Sequence, residues 1–196
     1  MVSALTCNGS RILTPGEASS IRRVISKPSN RALFDLMLYS GLRLEEVRQL
    51  VEHPEIFDEE RRLLVIKSGK KTATQKTRNV ILSDNGLEAV RAFLKAPKMP
   101  ASSSAWQTNL IRWSKIAGLS PLPGRSGEGG NIYGITVRTS RKTWESWLLT
   151  AYEEKAVKIA LSQGHTESTA LGHYLNLSFT DQEREAIVEE VRGWRA

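Results

Sequence analysis

Apolar residues recur at helical spacing over most of this chain and at strand spacing in one place. Thr14-Pro15-Gly16-Glu17 opens a first helix: Thr14 caps, Pro15 suits the first helical position and Glu17 completes a capping box. That helix is predicted to run to about Ser26, and Lys27-Pro28-Ser29-Asn30 ends it and starts the next. Across residues 30–40, Leu33, Phe34, Leu36, Met37 and Leu38 leave little polar face, which marks a buried helix. Gly41 stands where a left-handed C-terminal residue belongs, and a short helix follows from Leu44 to Val51.

The pattern then changes period. Leu63-Leu64-Val65-Ile66 and Asn79-Val80-Ile81-Leu82 read as two strands joined by a long polar tip, residues 67–78. Ser83 or Asp84 caps a helix to about Leu94, and another helix spans roughly Ala105 to Ala117. Residues 119–134 are rich in Gly and Pro and read as loop. From Thr139 the chain is helical again, with Trp144, Trp147, Leu148 and Ala151 on one face. Helices over 154–163 and 167–175 are broken at Gly164. A last helix starts at Thr180, boxed by Glu183, with Ile187, Val191 and Trp194 on one stripe. The expected fold is mainly α with a small antiparallel β-hairpin sheet. Residues 1–13 read as a loose lead-in, 14–178 as the folded domain and 179–196 as a C-terminal helix.

Composition narrows the function class. At 196 residues with 40% hydrophobic and 25% charged side chains, the chain has the make-up of a soluble globular domain. It carries 28 Lys and Arg against 21 Asp and Glu, a formal charge of +7, and such an excess suits a polyanionic partner. The one cysteine, Cys7, forbids an internal disulfide and fits a reducing, cytoplasmic setting. His53, His165 and His173 lack zinc-ligand spacing to it. No run of 18 apolar residues occurs, so no membrane span is expected.

Four segments hold side chains suited to phosphate chemistry. Arg43 follows the helix-ending Gly41, with Glu46 three residues on to orient its guanidinium. The hairpin tip carries Lys67, Lys70, Lys71, Lys76 and Arg78. Arg138 and Arg141 lie three apart at a helix start, where two guanidiniums and the helix terminus favour an anion. The fourth is Gly164-His165, followed by His173 and Tyr174. Each has a bland alternative: a surface ion pair, a solvated turn, a packed tyrosine with its hydroxyl satisfied.

Order and spacing together resemble the tyrosine recombinase, or phage integrase, family. Gly41-Leu42-Arg43 with Glu46 resembles its first arginine box, and Arg138-x-x-Arg141 its His-x-x-Arg box. Leu161-Ser162-Gln163-Gly164-His165 is similar to its Leu-Gly-His segment, and Tyr174 lies nine residues after His165, the family's spacing to its nucleophile. Residues 141–147 are similar to archaeal and archaeal-virus integrases.

The resemblance implies a catalytic domain that cuts and rejoins DNA strands without cofactor or metal. Tyr174 would attack a phosphodiester, forming a 3′-phosphotyrosine and releasing a 5′-hydroxyl. Arg43 and Arg141 would hold the non-bridging oxygens, aided by His165. A hairpin lysine would protonate the leaving oxygen. Lys71 best matches the family's position, Lys70 stands second, and Lys67 and Lys76 follow. Arg138 departs from the family's His or Lys and stays protonated, so it is no general base. Lys67, Lys70, Lys76, Arg78 and Lys142 would contact DNA. The implied partners are double-stranded DNA and three further copies of the chain, with the C-terminal helix in cis or exchanged between subunits. Residues 1–13 are too short for the N-terminal helical domain of such enzymes, which predicts weaker DNA binding. Two alternatives keep the same segments: type IB topoisomerase-like or hairpin-resolving chemistry, and a non-catalytic DNA-binding remnant.

Overall fold

The computed structural model describes residues 4–67, 77–125, 130–164 and 177–195. It departs from expectation at the start. Thr6–Cys7 (β1) and Ser10–Arg11 (β2) pair antiparallel, so the described part of the lead-in is not loose. Asn8 and Gly9 form the turn with φ of 48° and 70°. This dipeptide tolerates left-handed backbone at both corners of a two-residue hairpin. Cys7, Ile12 and Leu13 are buried. Arg11 is held by Glu17 and by the carbonyls of Ser120 and Tyr133, which ties the hairpin to the Gly/Pro-rich loop.

The helices follow the hydrophobic pattern. The first, α1 (Pro15–Val24), has the Thr14/Glu17 capping box, and the second, α2 (Pro28–Ser40), ends at Gly41 with φ 65°. Leu33, Phe34, Leu36, Met37 and Leu38 of α2 are at most 1% exposed. Each such side chain contributes about 1.5–3 kcal/mol by leaving water. Helix α3 (Leu44–Glu52) precedes a three-stranded antiparallel sheet of β3 (Phe57–Asp58), β4 (Leu63–Lys67) and β5 (Thr77–Ile81), in that order. Strand β3 is two residues long and shows no alternation, so periodicity could not reveal it.

The remaining helices are α4 (Asp84–Lys95), α5 (Ser103–Ile116), α6 (Thr139–Ala151), α7 (Ala156–Gln163) and α8 (Asp181–Glu190). Ser83 caps α4 by accepting from the Gly86 amide at 3.1 Å, and Thr180 and Glu183 box α8. Helix α2 packs on α4 and α6, and α6 also meets α7 and α8, while α7 lies on β5. Trp144 and Trp147 of α6 are fully buried, and the Trp147 indole donates to the Leu13 carbonyl at 3.0 Å. Ile187, Val191 and Trp194 are buried within the same chain, with Trp194 stacked on Tyr152 at 5.4 Å between ring centroids. The architecture is therefore mainly helical with small antiparallel sheets. The helix expected over 167–175 lies outside the described residues.

Candidate active site

The end of α2 and the start of α3 form one corner of the site. Gly41 adopts a left-handed conformation, and a Cβ there would run into the Gln163 side-chain oxygen and lie 2.9 Å from Trp144 Cδ1. Only a residue without a side chain fits that close approach. Two residues on, Arg43 caps α3. Its backbone amide donates to Glu46 Oε2 at 2.7 Å, and its Nη1 donates to Glu46 Oε1 at 2.9 Å. Glu46 thus orients Arg43 as the sequence suggested, leaving the guanidinium side chain 52% exposed.

Two more arginines reach the same carboxylate from elsewhere in the chain. Arg141, from the first turn of α6, is buried to 8% exposure; its Nη1 donates to the Gly41 carbonyl at 2.9 Å and lies 3.8 Å from Glu46 Oε2. Arg78, from β5, is 12% exposed and its Nη2 donates to Glu46 Oε2 at 2.8 Å. Its Nη1 also donates to the Ser162 carbonyl near the end of α7. Three segments far apart in sequence therefore meet at Glu46, and Arg78 links a fourth, the end of α7, to them.

The electrostatics follow from this crowding. Burial pushes the Arg141 guanidinium down, and facing Arg43 and Arg78 pushes it further, to about 10, against the pull of Glu46 and Glu145. Arg78 is lowered too, by burial first, although Glu46 pulls the other way. Burial alone would raise Glu46, but Arg78, the Arg43 amide and Arg141 together hold it below the ordinary carboxylate range. Three guanidiniums gather on one buried carboxylate, two of them largely buried and Arg43 half-exposed. An anion placed beside them gains from fixed charges that need no reorganisation.

Most of the expected site residues can be followed. Arg43 and Arg141 come together. Arg138 caps α6 from an exposed position, its backbone amide donating to Thr136 Oγ1 at 3.2 Å. Lys67 ends β4, exposed, with its backbone bonded to Gln49. Two residues expected to contact DNA make contacts within the chain. Arg78 lies in β5 opposite Ile66 and is turned inward to Glu46 and Ser162. Lys142 is half-buried and its Nζ donates to the Cys7 carbonyl at 2.7 Å, fastening α6 to the N-terminal hairpin. Tyr174, His165, Lys70, Lys71 and Lys76 lie outside the described residues.

Sequence reasoning missed the inward turn of Arg78 and the place of Gln163. Strand alternation carries the signal for the first: with Leu64 and Ile66 facing the core, their partners Val80 and Arg78 must face it as well. For Gln163, fully buried with neither amide atom hydrogen-bonded among the described residues, the sequence holds no signal. Among the described residues no group of three or more His, Cys, Asp or Glu is arranged to hold a metal ion, and no helix is long and apolar enough to cross a membrane.

No protein-family model matches the chain, and no curated protein matches it by sequence. Solved structures do. The chain is similar to the XerA recombinase with a TM-score of 0.61 at 16% identity, over 97% of this chain and 65% of that one. It is similar to the Tn1549 transposon integrase, solved in complex with transposon right end DNA, with a TM-score of 0.59 at 16% identity over 90% and 64%. The integrase from mycobacterium phage Brujita gives 0.54 at 15% identity over 100% and 61%. The chain thus spans less than two thirds of each of these proteins, and its fold is the one they share.

Proposed function

We propose that this chain is the catalytic domain of a site-specific DNA recombinase, an integrase that cleaves and rejoins strands through Tyr174. The observation that carries the reading is the convergence of Arg43, Arg78 and Arg141 on Glu46, in a fold shared with recombinases and integrases. Its premise is the crowding of cations, with burial and then Arg43 and Arg78 lowering the Arg141 guanidinium. A phosphodiester entering beside Arg43 and Arg141 meets fixed positive charge, and as phosphorus becomes pentacoordinate the guanidiniums hold its extra charge.

The remaining roles rest on the sequence likeness. The Tyr174 oxygen bonds to phosphorus and gives up its proton to solvent water, and the bond to the 5′-oxygen breaks. Lys71 passes a proton to that oxygen, and the phosphate energy stays in the tyrosine ester. His165 adds a hydrogen bond to the phosphate. Arg138 stays charged, so it takes no proton from Tyr174. Double-stranded DNA is the partner, bound by an assembly of copies of the chain. The likeness of residues 141–147 to archaeal integrases carries no part of this reading.

The test is a nicked DNA substrate from which the cleaved end diffuses away. Wild type is expected to leave a denaturation-resistant protein–DNA adduct, and Tyr174→Phe none. Salt-dependent binding without an adduct would favour a non-catalytic DNA-binding role. Relaxation of supercoiled DNA without site preference would favour topoisomerase-like chemistry.

A further inference from the structure

Arg78 sits in the hairpin that carries the lysines, yet faces away from solvent. In β5 it pairs with Ile66 and shares a face with Val80, both fully buried. Its guanidinium divides between two acceptors on different elements, Glu46 of α3 and the Ser162 carbonyl of α7. The last carbonyls of a helix lack partners within it, so Arg78 satisfies one that α7 leaves open. Its stem lies against Gly164, where φ is 68° and an added Cβ would stand 2.9 Å from Arg78 Cδ. The residue after Gly164 is His165, and the residues before Thr77 are the tip that bears Lys70, Lys71 and Lys76.

We infer that Arg78 is a positioning residue that locks the lysine-bearing hairpin, Glu46 and the end of α7 into one arrangement. Through Glu46 it fixes Arg43 and Arg141, through its strand the root of the hairpin, and through Ser162 and Gly164 the approach to His165. It therefore holds the phosphate-binding arginines in register with the strand that leads to the tip and with the helix that leads to His165. A planar fork reaches both acceptors at once, which a lysine ammonium on a single stem does not. The inference rests on the recombinase reading above for its catalytic meaning. The rival is a direct phosphate contact, the role an exposed hairpin arginine would have.

Arg78→Lys and Arg78→Gln separate the two. With protein saturating a nicked DNA substrate, positioning predicts adduct formation slowed by about 100-fold in both variants, as small displacements from reactive geometry cost. DNA affinity and the slope of log Kd against log salt stay at the wild-type values. A direct contact predicts the reverse: an unchanged saturating rate, weaker binding and, in the uncharged Arg78→Gln, a salt slope smaller by about 1. Unchanged rate and affinity together would also overturn the inference. Amide hydrogen exchange over residues 161–164 is the companion readout, because it needs no cleavage. It is expected to quicken in Arg78→Lys, and unchanged exchange would overturn the lock. If wild type itself forms no adduct, the recombinase reading fails, and the exchange result alone upholds or overturns the lock.

Discussion

Glu46 decides the state of the site at the scale of single residues. It accepts from Arg43 twice and from Arg78, with Arg141 close by, and it is nearly buried. Removing one partner of a buried ion cluster costs about 3–5 kcal/mol, because the cations left behind stay desolvated. Glu46→Gln is therefore expected to lower stability at neutral pH by that order. The sign of the pH dependence follows from the lowered pKa. The Glu46 contribution is fully present above the unfolded carboxyl's value, near 4.5, and is lost as pH falls through the folded one. Thermal melts from pH 7 down to 3 should show wild type losing more stability than Glu46→Gln. Parallel acid limbs would place the acid-sensitive group elsewhere. The Gly41–Arg43–Glu46 corner was legible in the sequence because it is local, three residues apart on a helix start. The arrival of Arg78 and Arg141 at the same carboxylate was not, since nothing in their spacing from Glu46 specifies contact.

Elements were legible wherever a strong local rule set them. The Thr14/Glu17 and Thr180/Glu183 boxes start α1 and α8 as read, Gly41 and Gly164 end α2 and α7 in left-handed caps, and the tryptophan stripe of α6 faces the core. The N-terminal hairpin is hard to read from sequence although Asn8-Gly9 is a strong short-range turn signal, because the strands it joins are only two residues each. Strand ends were the other weak point. β4 and β5 run through Lys67 and from Thr77, so two basic residues assigned to the tip belong to the ladder. The last helix supplies the prediction at this scale. Ile187, Val191 and Trp194 fill a groove of their own chain, Trp194 against Tyr152 and under Lys155. Trp194→Ala is expected to cost about 3–5 kcal/mol. Urea unfolding of the free protein should give this loss with a midpoint independent of protein concentration. A midpoint that rises with concentration would mean that the helix completes a neighbouring subunit instead.

Across the whole molecule, a charge of +7 accompanies arginines gathered on one carboxylate. On the proposed function, long-range attraction and local grip would act on the same polyanion at different ranges. DNA affinity is expected to fall steeply between about 50 and 200 mM salt, with a linear log–log slope that counts the phosphates contacted. A flat salt response measured by fluorescence anisotropy would contradict a phosphate-binding face. The fold class was legible from periodicity alone, whereas the assembly of the site required the tertiary structure. The central claim is that one side chain of this fold becomes covalently joined to DNA. After reaction with a nicked substrate, nuclease and protease digestion followed by mass spectrometry reads it directly. The account predicts a 3′-phosphonucleotide on the peptide containing Tyr174 and on no other; a nucleotide carried by a different residue, or by none, would contradict it.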